Sequence, residues 1–181
     1  MMKTIFVVRH CQAEGQEPGA GLTEQGVRQA EALAEFLFDK KIDAIISSPY
    51  ERAYRTIQPL AGRLGIEAVL DERLAERVLS SRNQPEWRNM LRRTFEDLDL
   101  SFEGGESSRT AMGRALDVVK DALESGNHQI VIVSHGNLIS LLLKHFDDTI
   151  GFDEWEALSN PDVFRLAFSE EKPVIQRIWT D

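Results

Sequence analysis

The chain has 181 residues, 42% of them hydrophobic and 28% charged, with a formal net charge of −9. That length suits one domain with a sizeable core, and that composition suits an ordinary globular protein. The acidic balance argues against nucleic acid or an anionic membrane as the main partner, while an anionic small substrate would need a local cluster of cations. No apolar run approaches the length of a membrane span, and "MMKTIFVV" is too short for a signal peptide. A single cysteine excludes an internal disulfide and any Cys-rich zinc site, and it fits a cytoplasmic location.

In chain order, "TIFVV" from Thr4 is the first β-branched apolar run and reads as a buried parallel strand. It ends abruptly in Arg9, His10 and Cys11. Ala30, Leu33, Ala34 and Leu37 follow with the spacing of an amphipathic helix, with Thr23 as its cap and Leu22 and Val27 placed for a hydrophobic staple. "DAIIS" from Asp43 is a second strand, and "SSPYE" then offers Ser48 as N-cap, Pro49 as first helical residue and Glu51 as capping-box partner. Ala53, Ile57, Leu60, Ala61 and Leu64 form the inner face of that helix, which Gly65 stops.

Residues 78–105 differ: polar, arginine-rich, with one amphipathic helix on Trp87, Leu91, Phe95 and Leu98. They read as an excursion over the active site from a single domain spanning 1–181. A helix follows from about Glu106 to Glu124, then a third strand, "QIVIV" from Gln129, then the apolar helix "NLISLLLKHF". "VFRLAF" and "VIQRIW" alternate like a hairpin at a sheet edge. The expected fold is α/β: a three-layer sandwich with a mostly parallel sheet, helices on both faces and a C-terminal antiparallel hairpin.

In open α/β sheets the ligand crevice lies beyond the carboxyl ends of the strands. Here those ends carry Arg9 and His10, then Ser47 to Pro49, then Ser134 to Gly136 with His135 between them. Arg52 falls in the first turn of the helix after the second end. Two arginines, two histidines and helix N-termini at one place describe a site for a tetrahedral oxyanion, with phosphate the obvious candidate.

"RHCQAE", "LTEQG", "SSPYERAYRT", "LAE", "GGES" and "VSHGN", in that order, resemble the histidine phosphatase superfamily, which includes the cofactor-dependent phosphoglycerate mutases. The resemblance runs from Val8 to about Asn137. It implies that His10 takes the phosphoryl group, that Arg9, Arg52 and His135 hold it, and that Glu76 of "RLAER" is the proton donor and then the base. Glu72 is the alternative acid, and pairing of Glu76 with Arg73 or Arg77 is the alternative role. The sequence departs from the family pattern at Cys11, where the family has glycine, and at Ala13 and Gln16, where it has threonine and asparagine. Cys11 therefore needs either a slightly different turn or a negative φ. No cysteine-phosphatase loop follows it, so Cys11 reads as loop packing.

Neighbouring Arg9 and Arg52 should disfavour the imidazolium of His10 and leave a lone pair free at neutral pH. His128 reads as a turn residue and His145 as a residue near a helix C-terminus. No histidine pair has metal-ligand spacing, so neither a metal nor a cofactor is called for. Arg82, Arg88, Arg92 and Arg93 read as a solvated face among Glu86, Glu96 and Asp97, or as a grip on a second anionic group. Ser107 is a cap residue or a phosphate contact, and Trp87, Trp155 and Trp179 read as packing. The expected function is a metal-independent phosphomonoester hydrolase acting through a phosphohistidine on a small phosphorylated metabolite. A phosphoglycerate-type mutase, a protein phosphatase and a non-catalytic phosphate-binding module are the alternatives.

Overall fold

A computed structural model describes residues 2–180. The strands are β1 (Lys3–Arg9), β2 (Ala44–Ser47), β3 (Ala68–Leu70), β4 (Gln129–Ser134), β5 (Asp162–Phe168) and β6 (Val174–Arg177). They form one six-stranded sheet in the order β3-β2-β4-β1-β5-β6. The first four run parallel, and β5 and β6 are antiparallel additions beside β1. The helices are α1 (Glu24–Leu37), α2 (Glu51–Leu64), α3 (Trp87–Glu96), α4 (Ser108–Glu124), α5 (Gly136–Phe146) and α6 (Phe152–Glu156).

Alternation along the central strands divides the interior into two layers. Phe6 and Val8 of β1, with Val131 and Val133 of β4, pack with Leu33 and Leu37 of α1 and Ile57 and Leu60 of α2. Ile5 and Val7, with Ile130 and Ile132, face the opposite layer, built on α3, α4, α5 and α6. A strand buried on both faces must be apolar at successive positions, which is why these runs lack polar alternation. The three-layer sandwich with its C-terminal hairpin is the architecture expected from the sequence.

Several local expectations need correction. Helix α2 begins at Glu51 with Tyr50 as N-cap and no side-chain cap, so neither Ser48 nor Pro49 starts it and Glu51 is not a capping-box partner. The Ser48 hydroxyl is used elsewhere, as described below. Thr23 does cap α1, accepting from the amide of Gly26, but Val27 is 54% exposed and adds little to a staple. Helix α3 ends before Leu98, and α4 starts at Ser108 after the cap Ser107, which accepts from the Thr110 amide. Strand β3 went unread because only three residues form it, at an edge where Val69 and Leu70 remain exposed. Gly65 ends α2 at φ 66°, as expected.

The excursion is anchored from both sides. Arg77 is buried and donates to the Glu106 carbonyl and towards the hydroxyls of Thr94 and Ser108. Gly105 is needed at its place because a Cβ there would lie 2.1 Å from the Leu79 carbonyl oxygen. Leu91 and Phe95 pack into the α4–α6 layer. Arg88 ion-pairs with Glu156 and lies over the Phe152 ring, Arg92 covers the same ring, and Arg93 lies over Phe102. The arginines of α3 are exposed, as are Glu86, Glu96 and Asp97, in keeping with a solvated face, and they also lie over aromatic rings.

Candidate active site

β4 lies between β2 and β1, with Ser134 level with Arg9 and Val133 level with Ser47. Adjacent parallel strands of matched register end together, so Arg9, His10, Ser48 and His135 meet although distant in sequence. The His10 and His135 ring centroids are 5.2 Å apart.

His10 is 7% exposed, and its two ring nitrogens have different tasks. Nδ1 lies 2.7 Å from the Cys11 carbonyl oxygen, and a carbonyl can only accept, so Nδ1 carries the proton. Nε2 is then the bare nitrogen, and Arg52 Nε donates to it at 3.3 Å. Burial lowers the His10 pKa to about 4; the bond to Cys11 works against this, and the charges of Arg52 and Arg9 add to it. The expected neutral imidazole is therefore present, with desolvation rather than the arginines as its main cause.

Arg52 is 1% exposed and is held by the carbonyls of Gln16 and Glu17 at 3.0 and 3.1 Å. Arg9 donates to the carbonyls of Leu158 and Ser159, while its Nε is buried without a partner. Burial lowers the pKa of both guanidinium groups, and the Glu76 charge counters it in both. Gly136 lets Arg9 lie close to the backbone: a Cβ there would sit 3.1 Å from Arg9 Nε and 3.2 Å from Cζ, and the guanidinium would have to shift slightly.

His135 is the N-cap of α5 and is fully buried. Its Nε2 lies 2.8 Å from Ser48 Oγ, which itself accepts from the Tyr50 amide at 3.2 Å. Ser48 Oγ keeps both its proton and a second lone pair, so it can pair with either tautomer of the His135 ring. Nδ1 has no partner, as is also true of Asn137 Oδ1. Burial, with the charges of His10, Arg52 and Arg9 adding to it, pushes the His135 pKa well down. A neutral ring whose Nδ1 is unpartnered has one nitrogen left for a ligand, and in the Nδ1–H tautomer it can donate to an anion.

Glu76 accepts three backbone N–H groups: Arg77 and Leu138 on Oε1 at 2.8 and 2.9 Å, and Asn137 on Oε2 at 3.1 Å. Its expected alternative partners are engaged elsewhere. Arg73 pairs with Asp71 and Asp121, and the Arg77 guanidinium is committed to the excursion. Oε1 is saturated, so Oε2 retains the lone pair open to a proton. Glu72 is exposed and lies outside the cavity that Glu76 lines.

That cavity, of about 540 Å³, has Arg52, Glu76 and Asn137 in its wall together with residues 77–80 and 82–84. Trp87 and Trp155 also line it while packing edge-to-face on each other, and Trp179 packs edge-on against Phe36. Of the four arginines in question only Arg82 borders it. Among the described residues no group of three or more His, Cys, Asp or Glu side chains is placed to hold a metal ion. No helix among them is long and apolar enough to cross a membrane.

Cys11 is fully buried, and its thiol pKa is pushed up to about 12 by burial, with a hydrogen bond to Thr56 opposing. Its φ is not among the positive ones, so the turn accommodates a Cβ without left-handed backbone. The Cys11 amide donates to Thr56 Oγ1 at 2.8 Å and its carbonyl holds His10, so the backbone of this residue does what the site requires. Asn160, whose amide donates to the His10 carbonyl at 3.0 Å, was not anticipated, and neither was Ser48 as the partner of His135. Ser48 meets His135 through the adjacency of β2 and β4 in the folded sheet, and nothing local in the sequence marks Ser48 or Asn160 for these contacts.

The fold and this side-chain set define an α/β protein that gathers two arginines, two histidines and a carboxylate at its parallel strand ends. The family model described as histidine phosphatase superfamily (branch 1) matches residues 5–181, and the chain belongs to that family. It is 30% identical to a putative phosphoserine phosphatase 2 of Hydrogenobacter thermophilus, covering 78% of this chain and 77% of that protein. Phosphoglycerate mutase-like protein 4 of Arabidopsis thaliana is 31% identical, over 98% of this chain and 84% of its own length. The structure of a mycobacterial glucosyl-3-phosphoglycerate phosphatase superposes with a TM-score of 0.78 at 26% identity, over 98% of this chain and 97% of that one.

Proposed function

We propose that the chain is a phosphomonoester hydrolase that acts on a small phosphorylated metabolite through a phosphohistidine at His10, without a metal ion or cofactor. The observation that carries the reading is the His10 tautomer. Nδ1–H is tied to the Cys11 carbonyl, and the Nε2 lone pair meets Arg52, a residue of the cavity wall. Phosphatase names among similar proteins, for phosphoserine and for glucosyl-3-phosphoglycerate, support the reaction class.

In the proposed sequence Nε2 attacks phosphorus while the bond to the leaving oxygen breaks. The proton for that oxygen comes from Glu76 Oε2, the carboxyl oxygen with a free lone pair. Positive charge on the phosphorylated ring is offset at Nδ1–H by the Cys11 carbonyl. Arg9 and Arg52 hold the non-bridging oxygens, and His135, in its Nδ1–H tautomer, donates to them. Water then attacks phosphorus, Glu76 takes its proton, and His10 is released neutral. Residues 78–80 and 82–84 border the cavity and act as a wall over the leaving group.

Brief reaction with a labelled phosphomonoester, then denaturation, should leave acid-labile, base-stable label on the protein. His10→Ala should abolish it, and activity should survive chelators. Label retained in His10→Ala overturns the nucleophile. Loss of activity with a chelator, restored by a divalent ion, overturns the metal-free chemistry.

A further inference from the structure

We propose that Asn160 and Thr56 are positioning residues for the reaction: they grip the two edges of the peptide plane between His10 and Cys11 and so set where His10 Nε2 points. This rests on the reading above that His10 is the nucleophile. The carbonyl of that plane accepts from the Asn160 carboxamide at 3.0 Å, and its N–H donates to Thr56 Oγ1 at 2.8 Å. A peptide unit is planar, so bonds at opposite edges remove its freedom to rock about the chain. The Cα atoms of His10 and Cys11 both lie in the plane. The next carbonyl along the chain, that of Cys11, holds the His10 Nδ1 at 2.7 Å. The root of the imidazole and the acceptor that orients it therefore move with this one unit.

The two grips come from parts of the fold that are secured independently. Thr56 is buried in α2, and its hydroxyl proton goes to the Arg52 carbonyl at 2.7 Å, which leaves its oxygen to accept the Cys11 amide. His10 is thereby held in register with the helix turn that carries Arg52. Asn160 belongs to the loop that leads into β5. Asp162 secures that loop from a fully buried position, accepting from the Ser159 amide at 3.1 Å and from Arg177 Nε at 2.8 Å. The same loop supplies the Leu158 and Ser159 carbonyls that hold Arg9. Both guanidiniums thus have carbonyl partners of their own and stay in place when a grip is cut; the imidazole does not.

Asn160→Ala and Thr56→Val each cut one grip, and Thr56→Ser keeps the hydroxyl. With an aryl phosphate on the full chain, the first two should lower kcat about 10–100-fold, the scale of a displaced reacting atom, with inhibition by inorganic phosphate changed less than about threefold. Thr56→Ser should stay within about threefold of the parent. Because both grips act on one rigid unit, the double variant should lose far less than the product of the single losses. Nitrogen NMR of the imidazole reads the ring without turnover, the His10 signals being those missing in His10→Ala. The parent should show the Nδ1–H tautomer alone, and each cut should mix in the other. Turnover within about twofold of the parent in folded Asn160→Ala, losses that multiply in the double variant, or Thr56→Ser as slow as Thr56→Val would overturn the proposal. Asn160 is only half-buried, so Asn160→Ala decides alone if Thr56→Val does not fold. Mixed tautomers in the variants with no phosphohistidine in the parent would sink the nucleophile reading and leave the grips standing. Phosphohistidine in the parent, with ring signals and turnover unchanged in both variants, would do the reverse.

Discussion

Ser48→Ala removes the hydrogen-bond partner of the His135 ring, whose other nitrogen is already unpaired in a fully buried position. Leaving Nε2 unsatisfied as well costs about 1–3 kcal/mol of folding stability. For a domain of this size that is a fall in Tm of roughly 2–4 °C per kcal/mol. The catalytic loss has a separate origin. With its partner at Nε2 gone, nothing fixes which ring nitrogen carries the proton, and the ring loses its orientation towards the proposed phosphoryl site. A misplacement approaching 1 Å costs about 100-fold, so kcat should fall about 10–100-fold. Steady-state hydrolysis of an aryl phosphate and thermal unfolding of the same preparation measure both effects. Ser48→Thr, which keeps the hydroxyl, should turn over faster than Ser48→Ala. A lower Tm with kcat within twofold of the parent would refute the tautomer argument, because Ser48 would then be packing alone.

Glu76→Gln should slow esters of poorly acidic alcohols by about 100-fold or more and aryl phosphates by far less, with Glu72→Gln close to the parent on both; equal losses on the two ester types would make Glu76 structural. The His10 pKa is depressed in the fold to about 4, so its contribution to stability is complete above the unfolded value near ~6.5 and is lost as pH falls towards 4. Tm should decline from pH 7.5 to 5, and His10→Ala should flatten that decline; an unchanged slope would mean the ring is not held neutral by burial. Cys11→Ala should keep turnover within about tenfold, since the amide and carbonyl of residue 11 make the contacts that matter. A loss of several orders of magnitude in the folded Cys11→Ala, with His10→Ala still active, would reverse the assignment of nucleophile.

The sequence by itself determined the sheet and where chemistry could sit. Short, β-branched apolar runs such as "TIFVV" and "QIVIV" read as strands buried on both faces, and the chain leaves each of them in Arg-His or Ser-His-Gly. Helix faces were legible for the same reason: apolar spacing at Ala30, Leu33, Ala34 and Leu37 reports burial directly. What it could not determine is which hydroxyl, amide or carbonyl each charged group would meet. Ser48 looked like a helix cap from its neighbours alone. It became the partner of His135 because the sheet order sets β2 beside β4 in register, bringing residues 87 apart in the chain within 2.8 Å. Glu76 likewise offered Arg73 and Arg77 as nearby partners, yet the fold sent both guanidiniums elsewhere and set the carboxylate on the amides that open α5. Periodicity encodes burial, a property of one side chain and its medium. Pairing depends on which strand ends the topology makes neighbours, and only the tertiary structure decides that.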